Sequence, residues 1–273
     1  MSEYSNEVSI LCVEEPEAYL HPHQQRELAH YLSRVLHGQV ILTSHSPYIV
    51  CELSPNSIIR LYKKKQETLA ASGGCSTIIE DGFVDFGYRM SVIPAEAFFA
   101  DYAILVEGQS ELIFYKTLAK QIGIDLDRLN ISILSVEGVG FKVYAKILDA
   151  LKIEWIARTD NDIMKIKDKD AYRFAGIERG IALIEQSFDI EKDDQKIIDA
   201  NKAKIHGFAS KEHIPLDVMK VVKKLREVLV DYNVYVAEVD LETDLCNGLL
   251  KEALKNKYGK DLSDEALVDK MKA

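Results

Sequence analysis

Cysteine is scarce and unpatterned. The 273-residue chain has 4, namely Cys12, Cys51, Cys75 and Cys246, with no CxxC pair and no zinc-ligand spacing. They read as reduced structural thiols rather than a disulfide framework or a zinc site. Long apolar runs are also missing. No uncharged stretch approaches the roughly 18 residues of a membrane span, and the opening "MSEYSNEVSI" has neither the basic nor the apolar region of a secretory signal. A cytoplasmic location without membrane contact is expected. Positive charge is not in excess either: 34 Lys and Arg face 44 Asp and Glu, a net charge of -10. That excludes a chain coated in basic surface, while leaving room for a local basic groove beside a carboxylate-rich site. Finally, GxxxxGK[ST], the loop that cradles nucleotide phosphates, occurs nowhere.

What is present is ordinary globular material, 47% hydrophobic and 29% charged, in a chain long enough for two domains. Apolar patterning predicts buried strands at 8–13 and 39–43, with a helix at 22–36 between them. That helix aligns Leu28, Tyr31, Leu32, Val35 and Leu36 and stops at Gly38. A third strand is predicted at 57–62, then a loop, "KKKQETLAASGGCS", and a strand at 76–80 closing a hairpin with 57–62. A new unit starts near residue 100. "DYAILVEG" reads as strand and turn, 109–122 as a helix ended by Gly123, and "NISILSVEG" as a strand. A helix at 140–151 aligns Phe141, Tyr144, Ile147, Leu148 and Leu151, and "IEWIARTDND" is the next strand, with Trp155 in the core. This βαβαβ alternation implies a parallel sheet with right-handed crossovers. Residues 163–230 read as a helical insertion, after which "NVYVAEVD" returns to the sheet. Two helical segments, "ETDLCNGLLKEALKNKYG" and "SDEALVDKMK", follow.

Two acidic constellations carry chemistry. In "ILCVEEPEAYLHP" an apolar strand ends in Glu14 and Glu15, and "VILTSHSP" ends a second strand near His45. Adjacent strand-end carboxylates and a histidine suit a nucleotide-hydrolysing half-site, where one acid serves magnesium and the next orients water. In the second constellation, "AILVEGQSE" ends a strand at Glu107, turns on Gly108 and starts a helix bearing Glu111, so the two glutamates share one side. "IARTDND" ends another strand with Asp160 and Asp162, on one face if the backbone stays extended. Strand ends of this kind line the ligand crevice of an open parallel sheet. Oxygen ligands in this number suit Mg²⁺, Mn²⁺ or Ca²⁺, and such a cation would relieve the mutual repulsion of the carboxylates.

The "EEPEAxLHP … TSHSP" pairing resembles the ABC-type ATPase heads of OLD-family (overcoming lysogenization defect) endonucleases. The EG strand followed by a DxD strand resembles the Toprim fold of the same family. The resemblance implies an α/β architecture: a C-terminal remnant of an ABC-type head over 1–99, then a Toprim domain over 100–273 with its insertion at about 163–230. By it, Glu14 matches the Walker B acid, Glu15 the catalytic carboxylate and His45 the switch histidine. It adds Asp240 and Glu242 as metal ligands beside Glu107, Glu111, Asp160 and Asp162, with Asp244 a weaker match. It also implies a late active-site lysine, Lys272, with Lys270 the alternative. The implied activity is DNA cleavage with two Mg²⁺ or Mn²⁺ ions, Ca²⁺ being an inhibitory substitute. Glu107 would serve as ligand and proton-transfer group, and Lys272 as a charge neutraliser. Homo-oligomerisation through the head, a helicase-like partner and antiviral defence complete the family picture. Without a P-loop or ABC signature, ATP binding requires the missing half of the head, and this chain alone is not expected to hydrolyse ATP.

A non-catalytic oligomerisation or nucleotide-sensing module is the competing reading. A strand-passage or priming enzyme is disfavoured, because nothing here accommodates the extra domains those need. Lys63–Lys65 read first as a solvated loop. Lys220, Lys223, Lys224 and Arg226 read as the polar face of a helix packed through Val221, Val222 and Leu225, and DNA contact is the alternative for both groups. His21 and His23 lack metal spacing.

Overall fold

The computed structural model describes residues 10–35, 38–53, 57–71, 95–136, 140–211, 213–248 and 250–272. Contacts group the chain into two units. The first comprises Met1–Ala103, Leu118–Leu134 and Lys146–Glu154, and the second Ile104–Thr117, Ser135–Ala145 and Trp155–Ala273.

In the first unit, β1 (Ile10–Glu14) and β2 (Gln39–Thr43) pair in parallel, Ile10 opposite Gln39 and Glu14 opposite Thr43. They were expected to be buried, as parallel strands usually are. Instead Ile10 is 56% exposed and Ile41 52%, because among the described residues this sheet has two strands and no third to flank them. Between them α1 (Pro22–His30) starts on a proline, whose missing N–H costs nothing at a helix start. It continues as a π-helical turn over Tyr31–Val35, so the helix expected over 22–36 changes winding partway. Ser46 caps the short α2 (Pro47–Val50) by accepting the Tyr48 N–H at 3.2 Å.

The lysine-rich segment is not a loop. β3 (Leu61–Lys64) pairs antiparallel with β4 (Glu67–Ala70) around a turn in which Lys65 takes a φ of 58°. Thr68 and Leu69 supply the strand character that closes this local hairpin. The partner expected at 76–80 lies outside the described residues. Arg60, just before β3, spans the carbonyls of Phe98 at 3.1 Å, Ala100 at 2.7 Å and Leu151 at 3.3 Å. One planar fork with no acceptor atoms is suited to satisfying several carbonyls at once.

A four-stranded sheet runs in the order β11-β7-β5-β6. Its strands are β5 (Tyr102–Val106), β6 (Ile131–Ser135), β7 (Glu154–Thr159) and β11 (Val234–Val236). Asp101 N–H bonds to Asn130 O and Val136 N–H to Val106 O, so pairing advances in the same sense along β5 and β6. β11 is parallel to β7, Val234 opposite Ala157. The helices α3 (Gln109–Gln121) and α4 (Phe141–Ala150) lie where the βαβαβ pattern put them. Trp155 is in the core, 5% exposed.

The segment 163–230 is only partly the expected helical insertion. It contains α5 (Ala175–Ser187), α6 (Lys192–Asn201) and α7 (Leu216–Asp231). It also holds a three-stranded antiparallel sheet of β10 (His206–Phe208), β9 (Tyr172–Phe174) and β8 (Ile163–Lys165). These strands are three residues each, too short for a period-two pattern to stand out. They are held by rings, Phe208 lying 5.2 Å from Phe174 and 6.3 Å from Tyr172. After β11 come α8 (Leu241–Asn247), α9 (Lys251–Tyr258) and α10 (Asp264–Lys272). No described helix is long and apolar enough to cross a membrane. The described cysteines, Cys12, Cys51 and Cys246, are free thiols.

Candidate active site

The second unit gathers acidic side chains at the ends of β5 and β7. Glu107 follows β5 directly, and its Oε1 accepts the backbone N–H of Asp160 at 2.8 Å. It also accepts the Thr159 hydroxyl and one nitrogen of Arg179. Glu111 is buried, 7% exposed, and its Oε2 accepts the Gly108 N–H at 3.1 Å. It thereby satisfies a free donor where α3 begins. A Cβ on Gly108 would sit 3.3 Å from that oxygen, so the glycine keeps the turn open for the carboxylate.

β7 ends at Thr159, so Asp160 and Asp162 are presented by the segment beyond the strand. Between them Asn161 is buried, 4% exposed, and its backbone N–H bonds to Val239 O at 2.8 Å. That tie fixes the segment to the chain following β11. Asp160 is bonded to Arg158 at 2.9 Å and Asp162 to Arg179 at 2.8 Å. Burial pushes the Asp160 carboxyl up to about 6, and the charges of Glu107 and Glu111 add to it against the pull of Arg158.

Asp240 is not a strand-end residue, since β11 stops at Val236. It caps α8, accepting the Thr243 N–H at 2.8 Å, and pairs with Lys272. Burial alone would raise the Asp240 carboxyl, but Lys272 and the Thr243 N–H outweigh it and hold it below its ordinary value. The Lys272 ammonium is raised by its bond to Asp240, against desolvation, with Glu242 and Asp160 adding to the effect. Lys270 bonds instead to the Tyr258 carbonyl at 3.0 Å. Asp244 joins through Arg158 at 3.0 Å.

Oxygen-only donors, with a carboxyl raised first by burial and further by its acidic neighbours, suit a hard divalent cation in their chemistry. In the arrangement observed, no three acidic, histidine or cysteine side chains among the described residues gather closely enough to hold an ion. The repulsion expected to demand a metal is relieved by the protein's own cations: Arg179 on Glu107 and Asp162, Arg158 on Asp160 and Asp244, Lys272 on Asp240. Sequence reasoning missed both arginines. Arg158 could have been found, because it stands on β7 only two residues before Asp160, close enough for its side chain to reach back to that carboxylate; Arg179 carries no local signal.

In the first unit, Glu14 ends β1, and Glu15 follows with a φ of 42°. His45 Nε2 lies 3.9 Å from Glu15 Oε1, both side chains being open to solvent. The residue that organises this pair is Glu17, whose Oε1 accepts the Ser44 hydroxyl at 3.0 Å and the His45 N–H at 2.6 Å. It ties the turn after β1 to the end of β2.

A glutamate-bearing strand, turn and helix followed by an aspartate-pair strand on a parallel sheet define a Toprim-type domain. Residues 98–162 match the family described as overcoming lysogenization defect protein-like, TOPRIM domain, and residues 1–50 match an AAA ATPase domain. Endonuclease GajA of Bacillus cereus (strain VD045) is 26% identical over 254 residues, covering 90% of this chain and 42% of that protein. The OLD nuclease of Thermus scotoductus is 25% identical over 173 residues, covering 59% of this chain and 32% of its own length. Among solved structures, the C-terminal region of the Burkholderia pseudomallei OLD protein aligns at 24% identity with a TM-score of 0.42. It covers 62% of this chain and 71% of that one. The chain is similar to OLD-family nucleases over these spans, and it covers less than half the length of the curated relatives it matches.

Proposed function

We propose that this chain carries the nuclease site of a divalent-metal-dependent DNA endonuclease, in residues 100–273, behind an incomplete ATPase head in residues 1–99. The supporting observation is that the Glu107 carboxylate accepts the Asp160 backbone N–H at 2.8 Å and shares Arg179 with Asp162, drawing the chain after β5 and the chain after β7 to one place. Glu107, Glu111, Asp160, Asp162, Asp240 and Glu242 are the residues proposed to hold Mg²⁺ or Mn²⁺. The ions would supply an activated water and charge for the leaving oxygen. The chain's own contribution is to orient the carboxylates. Thr159 and the Asp160 N–H aim Glu107, Asn161 anchors the segment between the aspartates, and Lys272 brings an ammonium to the anionic substrate. ATP belongs to this reading only with a phosphate-binding loop supplied from outside the present sequence, with Glu14, Glu15 and His45 as the half-site. Self-association through the head and a helicase-like partner belong to the same proposal.

The test is supercoiled plasmid DNA incubated with the protein and Mg²⁺ or Mn²⁺. Nicking or linearisation is expected, and Glu107→Gln or Asp160→Asn should slow it at least about 100-fold. The pairing of Arg158, Arg179 and Lys272 with the acidic groups favours a second reading, a non-catalytic oligomerisation or nucleotide-sensing module. Intact DNA together with no calorimetric heat for either ion would select it.

A further inference from the structure

Arg179 belongs to α5, in the segment to which the sequence assigns no site, yet it enters the acidic cluster. The path that brings it there is specific. The first turn of α5 is pressed onto the segment after β7: Ala175 N–H bonds to Asp162 O at 2.8 Å. A Cβ on Gly176 would fall 2.1 Å from Asp160 O and 2.7 Å from Asn161 Cα. No larger residue permits that approach. One turn further on, the guanidinium reaches Glu107 and the Thr159 hydroxyl through one nitrogen, and Asp162 at 2.8 Å through the other.

Glu107 and Asp162 come from the ends of different strands, and both stand in the proposed ligand set. A guanidinium between them offers only donors and a single positive charge. A divalent ion drawing on the same oxygens would bring twice that charge to the place the arginine fills, and two cations cannot share it without strong repulsion. The side chain has room to leave. Arg179 is 28% exposed, against 12% for Arg158 in its pairing with Asp160 and Asp244.

We propose that Arg179 is the resident counter-cation of this site: it holds Glu107 and Asp162 together while no divalent ion is bound, and ion binding displaces it. The inference rests on the metal-dependent reading above. It makes arginine pairing and ion binding mutually exclusive, so each weakens the other by the same factor.

The experiment is calorimetric titration of Mn²⁺ into the intact protein, its Arg179→Met variant and its Arg179→Lys variant, with urea midpoints measured without ion. Arg179→Met should be less stable without ion and should bind Mn²⁺ about tenfold more tightly, with Arg179→Lys between it and the parent. Parent protein that binds Mn²⁺, with Arg179→Met binding no more tightly, overturns the inference and leaves the metal-dependent reading standing. No Mn²⁺ binding by any form overturns both. Should Arg179→Met fail to fold, the arginine Nε resonances of the parent, assigned through Arg179→Lys, are followed during Mg²⁺ addition. Movement of the Arg179 signal at saturation is expected, and an unmoved signal beside demonstrated ion binding overturns the inference.

Discussion

Arg158 lies 3.0 Å from Asp244 across 86 positions of sequence, while its other terminal nitrogen holds Asp160 at 2.9 Å. One guanidinium thus joins the end of β7 to α8, and its side chain is 12% exposed. Removing it leaves two carboxylates without their shared partner. Arg158→Met should cost about 3 kcal/mol in urea denaturation. Arg158→Lys should recover only part of that loss, because an ammonium cannot reproduce the fork. A midpoint unchanged in Arg158→Met would show that the pairing contributes nothing to stability.

Gly176 and Gly180 sit one turn apart on α5 but differ in what a Cβ would meet. At Gly176 it strikes backbone, with Asp160 O at 2.1 Å, whereas at Gly180 it meets the end of the flexible Leu229 side chain, with Cδ1 at 2.8 Å. Gly176→Ala should therefore destabilise by about 3 kcal/mol and Gly180→Ala by about 1 kcal/mol or less, the difference being what can move aside. Equal losses in paired denaturation curves would contradict the packing described.

The Asp160 carboxyl, pushed up to about 6 from an ordinary 3.8, binds a proton in the folded chain at pH values where the unfolded chain has released it. Stability of the ion-free protein contributed by this group therefore falls as pH rises from about 4 to about 6, and is regained as pH drops. Urea midpoints across that range, compared between the parent and Asp160→Asn, isolate the group. The variant's relative stability should climb with pH, and parallel profiles would count against the shift.

Lys272 and Lys270 are neighbours on α10 with different partners, Asp240 for one and the Tyr258 carbonyl for the other. In Lys272→Ala the Asp240 carboxyl should titrate higher than in the parent by carbon-detected NMR, and it should stay put in Lys270→Ala. The same Lys272 change should slow DNA cleavage where cleavage is observed. A shift in Asp240 with Lys270→Ala instead would reverse the assignment of the lysine.

Local pattern made much of the second unit legible. Strand, turn and helix around Glu107–Glu111 follow from an apolar run, a glycine and a helical period. The parallel sheet follows from the βαβαβ order, but the adjacency of β5 and β7 does not, because β6, which lies between them in sequence, pairs on the other side of β5. Where short-range rules met competing partners they failed. A hairpin closed inside the lysine-rich segment that read as a loop, and the three-residue strands β8, β9 and β10 hid within a segment that looked helical. Glu17, absent from the expected half-site, holds the His45 backbone because the β1–β2 register brings those two turns together.

From residue order alone, the acids Glu107, Asp160 and Asp162 belong near one edge of a parallel sheet, because strand periodicity and crossover handedness act over short distances. Which cation answers each acid was decided by the tertiary structure. Arginine and lysine side chains are long enough to reach several carboxylates, and the choice among them depends on how closely the backbones pack. The contact of Gly176 with Asp160 delivers Arg179 to Glu107, and the return of the chain after β11 delivers Asp244 to Arg158.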